Sequence, residues 1–232
     1  MTCADFKLIE AIRCSCLDAF NDAINCGASP LAKCWNGDPS LVVAYKAKRP
    51  DYARRLIALG ADPHQIKDKR GDTLLICAAR TGDIGLLSVL LDAEVNPNVV
   101  GQRERTAIHH AAKRGFDYIT RLLIESKANI DATDNHRHAP LHLAARHGHP
   151  GVVRELLAAY AKTDAKNHTS YTPAHEAAAS GHAEIAKQIL KHERVHHGTH
   201  DFILLVEQIS RVAERHDHHE ASKDIQAFAF ES

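Results

Sequence analysis

A motif that recurs at a fixed spacing limits the fold of this chain more than any other feature of its sequence. The clearest copy covers residues 138–149 and reads HAPLHLAARHGH. The corresponding first positions are Thr73, Thr106, Ala139 and Thr172, which gives a strict period of 33 residues. A unit of this length is too small to bury its own apolar residues, so neighbouring units must stack and share a core.

Each unit contains two segments with helical spacing. The first is short and carries an Ala-Ala pair such as Ala111-Ala112, which lets a neighbour approach closely, and it ends near a glycine such as Gly115. The second is longer and more apolar, with Ile119, Leu122 and Leu123 in the unit that begins at Thr106. The pattern predicts an all-α fold, an elongated array of paired helices, and the low aromatic content of 5% favours thin helical layers over a sheet sandwich.

A T-P-L-H-x-A core at a 33-residue period resembles the ankyrin-repeat family. The resemblance implies a solenoid of stacked helix-turn-helix units with β-hairpin-like loops, and a protein that binds other proteins. His109, His142 and His175 occupy the histidine of this core. The resemblance implies that these imidazoles bridge backbone groups of adjacent turns and have no catalytic role.

The repeats organise the whole chain, and we predict one ankyrin-repeat domain over residues 1–232. Degenerate repeats are expected at 6–38 and 39–72, clear repeats at 73–105, 106–138, 139–171 and 172–204, and a C-terminal cap and tail at 205–232. Apolar residues at helical spacing from Phe202 to Val212 predict a terminal helix that covers the last repeat.

The glycine that usually closes the second helix of such a repeat is replaced in all four clear repeats. The residues at this position are Glu94, Lys127, Tyr160 and Glu193. A residue with a side chain must adopt a left-handed conformation there, at a cost of about 1 kcal/mol, or the turn must rebuild. We therefore expect modest stability.

Total charge predicts no partner, since Lys plus Arg and Asp plus Glu number 29 each. The first residues lack a basic segment followed by an apolar run, and no stretch approaches the roughly 18 apolar residues of a membrane span. We expect a soluble, cytoplasmic chain, with delivery to a host cell as an alternative. Its six cysteines are expected to be buried and reduced. A cysteine nucleophile partnered by His64 or His109 stays an alternative, without a local motif to support it.

One stretch matches a zinc-protease motif. Residues His192, Glu193 and His196 give the spacing H-E-x-x-H, whose mechanism needs both histidines on one face of a continuous helix. In the repeat register His192 ends a second helix, whereas Glu193 and His196 fall in the turn after it. We therefore expect no enzyme activity.

Histidines are concentrated towards the C-terminus, and imidazole clusters can bind nickel or zinc transiently. A solvated surface run is the alternative interpretation, and we expect no resident metal or cofactor. The residues concerned are His196, His197, His200, His216, His218 and His219.

In ankyrin-repeat proteins, partners contact the hairpin tips before each short helix and the two residues after its Ala-Ala pair, on the concave side. In the four clear repeats nine of these positions are Lys or Arg, and only Asp72 and Glu104 are acidic. The predicted partner-binding residues are Lys69, Arg70, Arg80, Arg103, Arg105, Lys113, Arg114, His136, Arg137, His138, Arg146, His147 and Tyr171.

A positive excess at these positions predicts a partner protein with an acidic surface. Because the repeats fill nearly the whole chain, the expected mode of action is occupancy, as an inhibitor, an immunity-type protein or a regulator. A host-targeting bacterial effector or a scaffold adaptor is an alternative that uses the same surface. Nucleic-acid binding is a further alternative, disfavoured because aromatic residues do not alternate with the basic ones. Alone, the chain is expected to be a monomer.

Overall fold

The computed structural model describes residues 2–64, 66–68, 70–193 and 199–228, with the backbone alone at 199 and 200. Its secondary structure is helical, and the all-α prediction is confirmed. The helices are α1 (Cys3–Cys14), α2 (Leu17–Asn25), α3 (Ser40–Lys46), α4 (Pro50–Ala58), α5 (Leu74–Thr81), α6 (Ile84–Asp92), α7 (Ala107–Arg114), α8 (Asp117–Glu125), α9 (Pro140–Arg146), α10 (Pro150–Ala158), α11 (Pro173–Ala179), α12 (Ala183–Glu193), α13 (Thr199–Arg215) and α14 (His219–Phe228). A 3-10 turn covers Gln102–Glu104. In place of strands, the described residues contain two isolated antiparallel bridges, Lys33 with Pro39 and Lys67 with Thr73.

The chain divides into two compact units, Met1–Gln102 and Arg103–Ser232. In the first unit, α1 packs on α2 and α3, α3 on α4 and α5, and α6 on α4 and α5. Large side chains close its core, among them Phe20 and Tyr52, whose rings meet edge to face with centroids 5.1 Å apart.

The second unit continues the same pattern of helix pairs. First helices α7, α9, α11 and α13 pack in sequence, and second helices α8, α10, α12 and α14 form a parallel row. Leu123, Leu141, Val153 and Leu156 are fully buried between the rows. Stacking, which the 33-residue period predicts, therefore supplies the core.

Side chains cap the hairpin tips from within. The Asp134 carboxylate accepts hydrogen bonds from the backbone N–H groups of His136 and His138, both at 2.9 Å. Asn167 does the same for its own tip, and so does Asp68. A carboxylate or amide at this position replaces the backbone acceptor that a tight turn lacks, which fixes where the next side chains point.

Three of the four glycine replacements adopt the left-handed conformation. Glu94, Lys127 and Tyr160 have φ values of 56°, 62° and 63°. Glu193 differs, because α12 continues to it and its side chain is buried. The sequence-based placement of Glu193 in a turn was therefore wrong.

Two of the three histidines of the repeat motif, His109 and His142, join neighbouring repeats as the resemblance implies, whereas the contact of His175 Nδ1 is with Thr172 of its own repeat, at 2.7 Å. At His109, Nδ1 accepts from the Thr106 N–H at 3.2 Å, and Nε2 donates to the carbonyl of His138 at 3.1 Å. His142 makes the same bonds to Ala139 and Tyr171. Burial lowers the pKa of both imidazoles to about 4, so they are neutral donors near pH 7.

The terminal helix predicted from Phe202 to Val212 forms as α13, with Phe202, Val206, Ile209 and Val212 buried. Instead of a single cap and tail, a second helix, α14, follows and packs on α12 and α13. Its last residue, Phe228, is buried beside Phe202. The C-terminal segment thus repeats the paired-helix arrangement, while residues 229–232 lie outside the described part.

All six cysteines are free, but their burial differs from the prediction. Cys34 and Cys77 are buried, whereas the thiols at helix ends and surfaces are exposed; these are Cys3, Cys14, Cys16 and Cys26. Cys14 ends α1 and Cys16 precedes α2, so the sharp turn between the two helices presents both to solvent.

Candidate partner-binding surface

The predicted surface residues of the first unit carry less free charge than their sequence indicates. Arg70 is exposed at a hairpin tip, and Lys69 lies outside the described residues. Arg80 forms ion pairs with Asp72 and, at 3.1 Å, with Asp68, and only 19% of its side chain is exposed. Arg80 is therefore neutralised and stabilises the tip, a correction to its predicted role as a free cation.

Arg105 departs furthest from the prediction. It is 9% exposed, and its Nε and Nη2 donate to one oxygen of Asp134 at 3.0 and 2.9 Å. The pair joins two successive tips of the second unit, which are also linked by the Asn135 N–H and the Arg103 carbonyl. A buried, paired guanidinium is not available to a partner, so Arg105 is part of the framework.

His138 is also held internally, between two carboxylates. Its Nδ1 lies 3.4 Å from Asp134 and its Nε2 lies 3.5 Å from Glu176. These two contacts raise the pKa of His138 to about 9, so the ring is a cation at neutral pH. Although burial opposes it, contact with His138 and the charge of Arg146 lower the pKa of Glu176.

Four basic residues of the second unit form what we call the cationic cluster. Arg103 and Arg114 are exposed, and among the described residues neither is paired with a carboxylate. Lys113 and Arg114 end α7, and Arg146 ends α9, which packs on α7. Burial, then the charges of Arg105 and of the three exposed arginines, lower the pKa of Lys113. The cluster consists of Arg103, Lys113, Arg114 and Arg146.

The remaining predicted residues surround this cluster or line the tips. His136 and Arg137 are exposed at one tip, where Arg137 has a φ of 59°. His147 is exposed, but burial of its ring lowers its pKa, and its Nδ1 lies 2.9 Å from the Leu143 carbonyl. Tyr171 is half-buried and stacks on His175, with ring centroids 5.7 Å apart.

A cleft of about 500 Å³ opens beside the cluster in the second unit. Its lining includes imidazoles, the Arg146 guanidinium and the buried Glu176 carboxylate. We call it the histidine cleft and define it by His136, His138, Arg146, His168, Tyr171, Glu176 and His216. The sequence-based prediction of the partner surface missed Glu176 and named His216 only among the candidate metal ligands, because the proximity of these residues to His138 depends on stacking across three helix pairs.

Trp35 is another residue that the sequence-based site omitted. It lies at the tip before α3 and is 80% exposed, and Leu31 nearby is 60% exposed. The available signal was that Trp35 is the single tryptophan of the chain. Tryptophan is one of the residue types that most often dominate the binding energy at protein interfaces.

The candidate catalytic and metal motifs find no support among the described residues. No three His, Cys, Asp or Glu side chains there are arranged to hold a metal ion. In the H-E-x-x-H stretch, His192 and Glu193 end α12, while Arg194, Val195 and His196 lie outside the described residues. His197 and the side chain of His200 lie outside them too.

No helix in the described ranges is both long and apolar enough to cross a membrane. Paired helices that stack through buried histidines, with tips and helix ends left to solvent, define a helical repeat protein with a protein-binding surface. The family model for ankyrin repeats matches residues 41–135, 82–167 and 133–201. The chain belongs to the ankyrin-repeat family, whose fold is a general protein-protein interaction module.

Similar proteins agree with this assignment. The chain is 32% identical over 112 residues to an ankyrin repeat-containing protein of Treponema pallidum (strain Nichols), which covers 48% of this chain and 38% of that protein. It is 33% identical over 89 residues to ankyrin repeat protein nuc-2 of Neurospora crassa, covering 38% of this chain and 8% of that protein. The chain thus spans well under half the length of these two relatives.

A solved structure shows the same fold. The crystal structure of an ankyrin repeat domain from Acinetobacter baumannii AYE matches with a TM-score of 0.74 and 25% identity. The match covers 81% of this chain and 97% of that domain.

Proposed function

We propose that the chain binds a partner protein with an acidic surface through the cationic cluster of its second unit. The observation that carries this proposal is the exposure of three arginines of the second unit, Arg103 at a hairpin tip, Arg114 at the end of α7 and Arg146 at the end of α9, which packs on α7. Two nearby carboxylates have other partners at closer range, since Asp134 is paired with Arg105 at 2.9 Å and Glu176 lies 3.5 Å from His138 and 3.9 Å from Arg146.

The electrostatic consequence is steering. Concentrated positive charge raises the rate of encounter with an acidic surface, and the effect falls as salt is added. Arginine supplies three of the four cations, and its planar guanidinium can bind a carboxylate with two parallel hydrogen bonds. The cluster therefore favours aspartate and glutamate side chains as its contacts.

The consequence of binding is occupancy of the partner's surface. An inhibitor, immunity-type protein or regulator acts in this way, and such a role fits a chain in which helix pairs fill most of the described length. A host-targeting effector or a scaffold adaptor would use the same cluster. An assay of the partner's own activity, with and without this chain, separates inhibition from scaffolding.

The test is an affinity capture from lysate of the native host with three forms of the chain. These are the natural sequence, Arg103→Glu/Arg114→Glu, and a control, Arg154→Glu/Lys162→Glu. The control makes the same change in charge at exposed residues of the same unit, on α10 and in the turn after it. Retained proteins are identified by mass spectrometry at low and high salt, and nucleic acid is measured in each eluate.

An acidic protein retained by the natural chain and the control, but lost with Arg103→Glu/Arg114→Glu and at high salt, is the expected result. Equal retention by all three forms would overturn the cluster as the binding site. Recovery of nucleic acid in place of a protein would overturn the choice of partner while keeping the cluster.

A further inference from the structure

The histidine cleft contains two kinds of charge, buried and exposed. On its floor, His138 lies between Asp134 and Glu176, and the Asn167 side-chain N–H donates to Glu176 Oε1 at 2.6 Å. Asp134 also pairs with the buried Arg105. Of these charged groups only His138 and Glu176 line the cleft, and their formal charges cancel.

The rim determines what the cleft attracts, since the floor is neutral overall. Arg146 is half exposed, and its closest approach to Glu176 is 3.9 Å, which leaves most of the guanidinium free to bind. His136, His168 and His216 are exposed and line the same opening. No carboxylate other than Glu176 lines the described part of the cleft.

One imidazole on the rim, that of His168, is held by the neighbouring tip. His168 Nε2 lies 3.2 Å from the Asn135 carbonyl, and the His168 backbone N–H donates to the His136 carbonyl at 3.1 Å. The ring of His136 lies 6.0 Å from that of His138, centroid to centroid. His168 is therefore arranged before any ligand arrives, which reduces the entropy lost on binding.

Histidine is the side chain that ordinarily changes charge between pH 5 and 8. An imidazolium ring attracts an anion more strongly than a neutral imidazole ring does, so anion binding and proton uptake in a histidine-lined cleft favour each other. The other groups that face these rings are Glu176, which is paired, and the Tyr171 hydroxyl.

We propose that the histidine cleft is a binding site for the carboxylate side chains of an acidic polypeptide segment, and that it binds them more tightly as the pH falls. The cleft extends the proposed partner surface. The inference rests on the proposed function, because the acidic partner supplies the segment that enters the cleft. The cationic cluster provides binding that does not depend on pH near neutrality, and the rim adds a pH-dependent part.

The experiment uses a fluorescein-labelled oligoglutamate peptide as probe and an oligoglutamine peptide as the uncharged control. Fluorescence anisotropy gives the Kd for the full chain at about pH 6 and about pH 8, on either side of the ordinary histidine pKa. The test variant is His136→Gln/His168→Gln/His216→Gln. A matched control, His64→Gln/His192→Gln/His219→Gln, removes three exposed imidazoles that do not line the cleft.

For the natural chain and the control variant, we expect oligoglutamate to bind about tenfold more tightly at the lower pH, a change that corresponds to about 1.4 kcal/mol. The test variant should lose most of this gain while keeping its affinity at the higher pH. Circular dichroism at both pH values establishes that each variant is folded, and His216→Gln alone, an exposed change after α13, provides a milder second variant.

An equal gain in the test variant, or no gain in the natural chain, would overturn the cleft as a pH-dependent site. Tight binding of oligoglutamine would overturn carboxylate recognition. The proposed function fails separately, if Arg103→Glu/Arg114→Glu leaves oligoglutamate binding at the higher pH unchanged.

Discussion

The two units use one fold with different chemistry at the same repeat position. The third residue after the start of the motif is Val42 or Ile76 in the first unit, and both are buried among apolar neighbours. In the second unit it is always a histidine; His109 and His142 are fully buried and hydrogen bonded to the next repeat, whereas His175 is half-buried. Apolar contacts are insensitive to pH, whereas a buried imidazole must stay neutral.

The ion pairs at the hairpin tips also differ between the two units, in how far their side chains are exposed to solvent. Asp68 and Arg80 of the first unit are 25% and 19% exposed, and Arg80 has Asp72 as a second partner. In the second unit, Asp134 occupies the repeat position of Asp68 and is fully buried, and its partner Arg105, at the repeat position of Asp72, is 11% exposed. The second unit therefore has its framework charges buried and its free charges at the surface, an arrangement suited to electrostatic recognition.

Acid should destabilise the second unit far more than the first. The pKa of His109 and His142 is about 4 in the fold and ordinarily about 6.5, so the unfolded chain binds more protons between these values. Their neutral state stabilises the fold fully above about pH 6.5, and this stabilisation is lost as the pH falls towards 4. The loss is on the order of 3 kcal/mol per histidine.

Hydrogen exchange, corrected for the intrinsic effect of pH on exchange, measures this difference by region. Protection of α7 and α9 should fall steeply on acidification, while that of α3 and α5 changes little. Equal losses of protection in the two units would show that the buried histidines His109 and His142 do not make the second unit more sensitive to acid.

Removal of one carboxylate charge should cost more stability in the second unit than in the first. Asp134→Asn keeps an acceptor for the tip N–H groups but leaves Arg105 and His138 without this counter-charge, at a cost of about 3 kcal/mol. Asp68→Asn should cost under about 1 kcal/mol, because Arg80 keeps Asp72 and its pair is partly solvated. Urea unfolding of both variants checks the order; an equal cost would contradict the difference in burial.

The apolar core should show no such difference. Leu90 and Leu123 occupy the same repeat position and are both fully buried. Replacement of either by Ala should destabilise its unit by roughly 2 to 5 kcal/mol through loss of contacts and a cavity. Unchanged thermal melting in either variant would mean that the core is wrongly described.

The smallest effect is expected at the turns after the second helices. Glu94 and Lys127, one in each unit, adopt the left-handed conformation with φ values of 56° and 62°. Glu94→Gly and Lys127→Gly should each raise the free energy of unfolding by up to about 1 kcal/mol, since glycine adopts this conformation without strain. Denaturant unfolding measures both, and destabilisation by either change would show that these turns are unstrained.

The period of the motif was sufficient to predict the paired helices, and the resemblance to ankyrin repeats implied the joining role of His109 and His142. It could not predict that Arg103 faces solvent while Arg105, two residues later, is buried. That difference depends on Asp134, which is 29 residues from Arg105 and reaches it only when the repeats stack. The histidine cleft was missed for the same reason. Helix α14 was missed because the polar residues of its sequence outnumber the apolar residues that it buries.

The most direct measurement is hydrogen exchange of the chain alone and in complex with the protein captured from lysate. Protection on binding is predicted at the tips and helix ends of the second unit, over residues 102–104, 113–115, 135–137 and 146–148. Protection confined to the tip around Trp35, or to the second helices α8 and α10, would contradict the assignment of binding to the cationic cluster.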